Sequence, residues 1–139
     1  MIKIRPYRES DEEAVAALWR EVFSAAPSWN HPETDIRRKL EVQRDMFLAA
    51  LLDGELVGTA LAGYDGHRGW VYYLAVSPRH RRRGIGRLLM ERVEKILTEV
   101  GCPKLNLQVR ADNPQVVSFY RKLGYAIEER ISLGKRLGE

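Results

Sequence analysis

The sequence predicts a single α/β (α+β) domain spanning residues 1–139, and three observations carry that reading. Apolar runs of strand length alternate with longer stretches whose apolar residues recur at helical spacing. Turn and capping residues, among them Asp53-Gly54, Gly101 and Gly124, stand where one pattern gives way to the next. Finally, 139 residues with 45% hydrophobic and 30% charged side chains match the size and composition of one ordinary globular domain.

The elements follow in order. Ile2 to Tyr7 reads as a first strand. Ser10-Asp11-Glu12-Glu13 has the S-x-x-E form of a capping box and opens a helix. Val15, Leu18, Trp19, Val22 and Phe23 then form one apolar face of that helix. A loop from Ala25 to Pro32 carries Trp29, Asn30 and His31. A more polar helix runs from Glu33 to about Arg44, with Ile36 and Leu40 inward. Met46–Leu52 and Glu55–Gly63 make a hairpin joined at Asp53-Gly54. The tight turn Asp65-Gly66-His67-Arg68-Gly69 leads into the strand Trp70–Val76. A long helix from about Gly84 to Val100 is stopped by Gly101. Lys104–Val109 is a further strand. Asn113 caps, and Pro114 begins, a helix that ends at Gly124. Tyr125 to Ser132 is expected to form a last strand.

The segment Arg79-His80-Arg81-Arg82-Arg83-Gly84-Ile85-Gly86-Arg87 lies between a strand and a helix N-terminus. Glycine there lets backbone approach an anion closely. The first helical N–H groups lack internal partners, and the helix dipole adds partial positive charge. Five arginines add full charges, so the site suits a ligand with several phosphates. The spacing is neither G-x-x-x-x-G-K-[ST] nor G-x-G-x-x-G. Net charge is +4, from 23 basic and 19 acidic residues. Without these five arginines, 18 bases face 19 acids, so the excess is focused in one loop. This argues against a broad nucleic-acid surface, and no aromatics are interleaved with base for stacking single strands.

Other classes are excluded on composition. No apolar run of about 18 residues is present to span a membrane. The first residues lack the apolar core of a signal peptide, and the single cysteine, Cys102, fits a reducing cytoplasm. The three histidines are scattered and show no metal-ligand spacing, so no metal is expected. Cys102 has no histidine near it in sequence and reads as a structural thiol.

R-x-x-G-x-G at Arg81, Gly84 and Gly86, directly after Leu74-Ala75-Val76-Ser77-Pro78, resembles the acetyl-CoA signature of the GNAT N-acetyltransferases. The likeness runs from Ile2 to Tyr125. The strings Gly63–Gly69, Gly101-Cys102-Pro103-Lys104 and Ser132–Leu137 are similar to its bacterial YpeA-like subfamily. The resemblance implies a mixed, twisted sheet with helices on both faces. It also implies a splay between the strands at 70–76 and 104–109, in which a pantetheine arm lies as a false strand.

By that resemblance Leu74, Ala75 and Val76 contact the arm through the main chain, and an N–H near Leu74 polarises the thioester carbonyl. Arg81, Arg82, Arg83, Gly84, Ile85, Gly86 and Arg87 hold the pyrophosphate. Asn113 and Tyr120 fall on the family's N-x(6)-Y-x(3)-G-[FY] segment, where Asn113 bonds pantetheine and Tyr120 protonates the departing thiolate. The family's glutamate base is missing: its two positions hold Trp70 and Gln108. Trp29, Asp65, His67, Tyr72 and Gln108 are acceptor-side candidates, with Glu33 and Asp35 as further polar groups. The implied activity is direct acetyl transfer from acetyl-CoA to a primary amine, without nucleic acid or membrane, and with room for a homodimer. An acyl-CoA-binding module with little catalysis is the alternative, and an RNA-binding domain using the arginine loop a weaker one.

Overall fold

The computed structural model describes residues 1–24, 31–111 and 113–138. They fall into two compact units, residues 1–107 and residues 108–139. Trp29 and Asp112 lie outside the described residues.

The first unit is built on a five-stranded sheet: β1 (Ile2–Pro6), β2 (Phe47–Leu52), β3 (Glu55–Tyr64), β4 (Gly69–Val76) and β5 (Leu105–Asn106), in that spatial order. The first three pairings are antiparallel and β4–β5 is parallel, so the sheet is mixed. Asp53 and Gly54, between β2 and β3, both have positive φ, 50° and 88°, as a tight right-twisted hairpin requires.

Two helices, α1 (Glu12–Val22) and α2 (Pro32–Leu40), cover one face. Trp19, Phe47, Ile36, Val15, Tyr7 and Leu61 form its buried core. The rings of Tyr7 and Phe47 stack at 4.4 Å between centroids, and those of Trp19 and Tyr73 at 3.8 Å. The helix α3 (Ile85–Glu99) buries Ile85, Leu89, Met90, Val93 and Leu97. Successive residues of β3 separate the two layers, because side chains alternate across a sheet. Thr59 bonds Trp19 of α1, whereas Gly58 faces Leu89 and Ile85 of α3. Gly69 likewise admits Leu97 and Cys102, whose atoms would stand 2.8 and 2.9 Å from a Cβ there. Helices on both faces of a mixed sheet are therefore as expected.

Some local expectations are corrected. Ser10 does not cap α1. Asp11 stands at that position, after a single 3₁₀ turn (Glu9–Asp11), and its carboxylate takes both Arg5 guanidinium nitrogens, at 2.8 and 3.0 Å, and the Arg8 N–H. α2 ends at Leu40, not near Arg44. Gln43 turns left-handed at φ 52° and its side-chain amide bonds both the N–H and the C=O of Tyr64, which halts the helix.

The second unit contains α4 (Pro114–Lys122), followed by Gly124 at φ 100°. Tyr125–Ser132 does not form the expected strand; among the described residues it has no ladder. Ile127, Ile131 and Leu133 lie exposed. A period-two pattern becomes a strand only where a neighbouring edge accepts its N–H and C=O groups.

Candidate active site

β4 leads into the site. It pairs with β5 only at Gly69–Leu105 and Trp70–Asn106. From Val71 to Val76 its β5-side edge has no strand partner among the described residues. β5 is two residues long, shorter than the expected Lys104–Val109.

β4 also carries a bulge. Thr59 opposes Ala75 and Leu61 opposes Tyr72, so Tyr73 and Leu74 together stand opposite Ala60. Tyr73 has φ 52°, a left-handed conformation unusual for a bulky residue. Its carbonyl accepts the Thr59 hydroxyl at 2.9 Å. Thr59 Oγ1 in turn accepts the Trp19 indole N–H at 2.8 Å. The Tyr73 hydroxyl donates to Asp35 of α2 at 2.5 Å. Burial, then the Asp35 carboxylate, push the Tyr73 phenol well above its usual range. Leu74 and Val76 are half-buried and Ala75 buried.

Past Val76, Ser77-Pro78 ends the strand and a 3₁₀ turn covers Pro78–His80. Arg82 at φ 65° and Gly84 at φ 77° are both left-handed, and α3 begins at Ile85. A left-handed residue beside a helical one turns successive N–H groups into a concavity that suits an anion. An added Cβ at Gly84 would meet nothing within 4 Å, so the space above the turn is open. Arg79 pairs with Glu21 and Arg87 with Glu91. Arg81, Arg82 and Arg83 are exposed and make no ion pair with a described residue. Ile85 is buried and anchors the first turn, while Gly86 is half-buried. The turn thus has open backbone, a helix N-terminus and three uncommitted cations, which fits a pyrophosphate.

The candidate acceptor residues are dispersed. Asp65 Oδ1 accepts the backbone N–H groups of His67 and Arg68, each at 2.8 Å, so it holds its own turn. Those bonds, Arg68 first, keep its carboxyl below the usual range. This turn lies at the start of β4, and five residues at about 3.3 Å each put Gly69 roughly 16 Å from Leu74. His67 and Asp65 are therefore remote from Leu74. Tyr72 is 54% exposed and pairs with Leu61, so the register puts it on the sheet face that carries α1 and α2. Glu33 is bound by Arg20 at 2.6 Å. Trp70 occupies the paired end of β4. Trp29 lies outside the described residues.

In the second unit Tyr120 is buried, with Phe119 and Tyr125 edge-on to its ring at 5.0 and 5.8 Å. Burial pushes its phenol up to about 12. It therefore stays protonated through the neutral range, as a proton donor must. Asn113 stands at the N-cap position of α4, but its side chain makes no capping bond, contrary to expectation. Gln108 donates to the Ser132 hydroxyl at 2.5 Å. Cys102 donates to the Lys104 carbonyl at 3.3 Å and packs beside Gly69, a structural role. Among the described residues no cluster of three metal-ligating side chains occurs, and no helix is long and apolar enough to cross a membrane.

Sequence reasoning missed Thr59 and the clamp on Tyr73. The signal was present: Thr59 is the lone hydroxyl in the apolar run Leu56–Ala62. A buried hydroxyl needs partners, but nothing local names them.

Residues 13–125 match the acetyltransferase (GNAT) family. An acetyltransferase of Pectobacterium atrosepticum is 50% identical over 138 residues, spanning 99% of this chain and 97% of the relative. Among solved structures, the ribosomal-protein-S18-alanine N-acetyltransferase of Escherichia coli is similar with a TM-score of 0.75 and 25% identity, over 89% of this chain and 77% of that one. An aminoglycoside N-acetyltransferase in complex with CoA shares the fold with a TM-score of 0.80 at 21% identity, over 99% and 96% of the two chains.

Proposed function

Because the chain belongs to the GNAT family of acetyltransferases, we propose that it moves the acetyl group of acetyl-CoA directly to a primary amine, on a small molecule or at a peptide or protein N-terminus. One observation carries the reading. The open edge of β4 runs into an anion-ready turn, so a single continuous segment, Leu74 to Arg87, offers main-chain groups for an extended arm and then charge for phosphates. The family match is continuous from residue 13 to residue 125, which supports treating both units as one GNAT domain.

The roles follow. The backbone of Leu74, Ala75 and Val76 binds the pantetheine arm, with the Leu74 N–H polarising the thioester carbonyl. The N–H groups at the start of α3 and the side chains of Arg81, Arg82 and Arg83 hold the pyrophosphate. Asn113, whose side chain is not used in capping, bonds the arm. In the transfer a C–N bond forms and the C–S bond breaks. Tyr120 gives its proton to the thiolate and takes one back from solvent, while the proton lost by the attacking nitrogen leaves to solvent. Solvent takes it because Trp70 and Gln108 are not bases, Glu33 is bound by Arg20, and Asp35 accepts from Tyr73.

Without a built base the enzyme favours amines that lose a proton easily. An α-amine titrates near ~8 and a lysine side chain near ~10.4, a difference of about 3 kcal/mol in the cost of the free amine at neutral pH. The S18-alanine enzyme acts on an α-amine by its name, which supports the same class here. The test is acetyl-CoA consumption against a panel of peptides with free or blocked N-termini, polyamines and aminoglycosides. We expect transfer to α-amines, with activity rising toward alkaline pH. Efficient transfer to lysine side chains at pH 7 with a flat pH profile would reject the preference. Absence of transfer with any amine, despite acetyl-CoA binding, would favour a binding module.

A further inference from the structure

The oxyanion donor assigned above is a backbone group, and a backbone group is only as well aimed as the conformation that presents it. The bulge at Tyr73-Leu74 is that conformation. Tyr73 sits at φ 52°, where its Cβ is crowded, so its surroundings must impose it. The bulge also takes Tyr73 out of the β3–β4 register, and its carbonyl is met by a side chain, the Thr59 hydroxyl. Thr59 is fully buried and has one hydroxyl proton. That proton is directed to Tyr73 because the Trp19 N–H already occupies an acceptor site of the same oxygen. Trp19 is itself 1% exposed and stacked on the Tyr73 ring. The chain of bonds thus begins and ends on the same two residues, one contact through the rings and one through Thr59.

We propose that Thr59 and Trp19 are positioning residues for acetyl transfer: their buried hydrogen-bond chain holds Tyr73 left-handed and thereby aims the Leu74 N–H at the thioester position on the open edge of β4. The inference rests on the functional reading above. Neither residue touches substrate. A core that needed only to be filled would use an apolar side chain at position 59, between Gly58 and Ala60 in the apolar run Leu56–Ala62. The hydroxyl there serves the one carbonyl that the bulge displaces.

The test uses the full chain and three variants: Thr59→Val, Thr59→Ser and Trp19→Phe. Acetyl-CoA labelled with ¹³C at the acetyl carbonyl reports polarisation through its infrared stretch when bound, and turnover is read with the best amine of the panel. Bound to wild type, the stretch lies below its value in water. In Thr59→Val we expect it to move back toward the free value, kcat to fall about ten- to a hundredfold, and the acetyl-CoA KM to stay within about threefold. Thr59→Ser, which keeps the hydroxyl, restores both. Trp19→Phe gives an intermediate loss and provides the test should Thr59→Val not fold. In ligand-free protein the Leu74 amide resonance shifts in Thr59→Val and returns in Thr59→Ser. A folded Thr59→Val with wild-type stretch and kcat, or an unmoved Leu74 resonance, overturns the proposal while leaving the functional reading intact. Wild type that binds acetyl-CoA without a lowered stretch overturns the Leu74 assignment, and the proposal falls with it.

Discussion

Gly58→Ala places one methyl group where the structure has no room for it. A Cβ at this position stands 3.0 Å from the carbonyl oxygen of Ala75, 3.1 Å from Leu89 Cδ1 and 3.2 Å from Ile85 Cγ2. The two side chains are buried, and the carbonyl belongs to β4, which is paired with β3 at Gly58–Val76 and Thr59–Ala75. The strand cannot retreat without giving up that ladder, so the helix must move outward by a few tenths of an ångström. Overpacking of this kind costs about 1–3 kcal/mol. Removing glycine from the unfolded chain offsets about 0.4–1 kcal/mol. Mid-range values, about 2 against about 0.7, leave a net loss of about 1–2 kcal/mol. With an unfolding entropy near 2.1 cal/mol/K per residue, a domain of this length loses about 3–4 °C per kcal/mol, so Tm falls by about 3–7 °C. Because Ile85 follows the turn proposed to hold the pyrophosphate and Ala75 lies on the strand proposed to bind acetyl-CoA, the acetyl-CoA KM rises with the loss of stability. Calorimetry of wild type, Gly58→Ala and the control Gly134→Ala, where nothing lies within 4 Å of the added Cβ, measures the effect. A Tm for Gly58→Ala equal to or above wild type would refute the packing argument.

At Gly84 an added Cβ has nothing within 4 Å, but Gly84→Val forces a β-branched residue to φ 77°, which costs about 1–2 kcal/mol. Acetyl-CoA then protects the variant less than wild type in a thermal shift, and equal protection counts against the phosphate turn. Tyr120→Phe lowers kcat by about 10²–10⁴ with little change in the acetyl-CoA KM. Because the phenol titrates at about 12, the wild-type kcat shows no loss of an acid between pH 7 and 10, and an unchanged kcat in the variant removes Tyr120 from the mechanism. For Asp11, burial raises the carboxyl pKa, but the bonds from Arg5 and the Arg8 N–H outweigh it and leave the group below its usual value. A carboxyl depressed in the folded state stabilises above its unfolded pKa of ~3.9 and loses that contribution as pH falls through the lower folded value. Urea midpoints for wild type therefore fall in that acid window more steeply than for Asp11→Asn, and parallel curves would contradict the assignment.

Features set by local chemistry were legible in the sequence. Asp53-Gly54 specifies a tight hairpin because its two residues tolerate positive φ, and both adopt it. Gly101 ends α3 at φ 85° for the same reason, and Asn113-Pro114 begins α4 because proline is preset for a first helical turn. Composition and spacing alone placed the arginine loop between a strand and a helix N-terminus, and the structure has it there, between β4 and α3.

Tertiary structure decided wherever a group's partner is distant in the chain. Ser10 and Asp11 are both suitable caps; Asp11 takes the N-cap position, but its carboxylate turns to Arg5 of β1 and to the Arg8 N–H and makes no capping bond to the helix. α2 carries no stop signal of its own. Gln43 ends it by reaching Tyr64, twenty-one residues on. Tyr125–Ser132 has a strand's pattern but no ladder, since backbone pairing needs a second edge that sequence cannot supply. The bulge at Tyr73 is the most consequential case. Nothing in Tyr72-Tyr73-Leu74 foretells a left-handed tyrosine, because its conformation is held by Thr59, Trp19 and Asp35 from three other elements. The sequence alone determined which residues carry charge, glycine freedom and a protonated phenol. The fold determined the left-handed backbone at Tyr73, because that conformation is held by contacts across fourteen to fifty-four residues of chain.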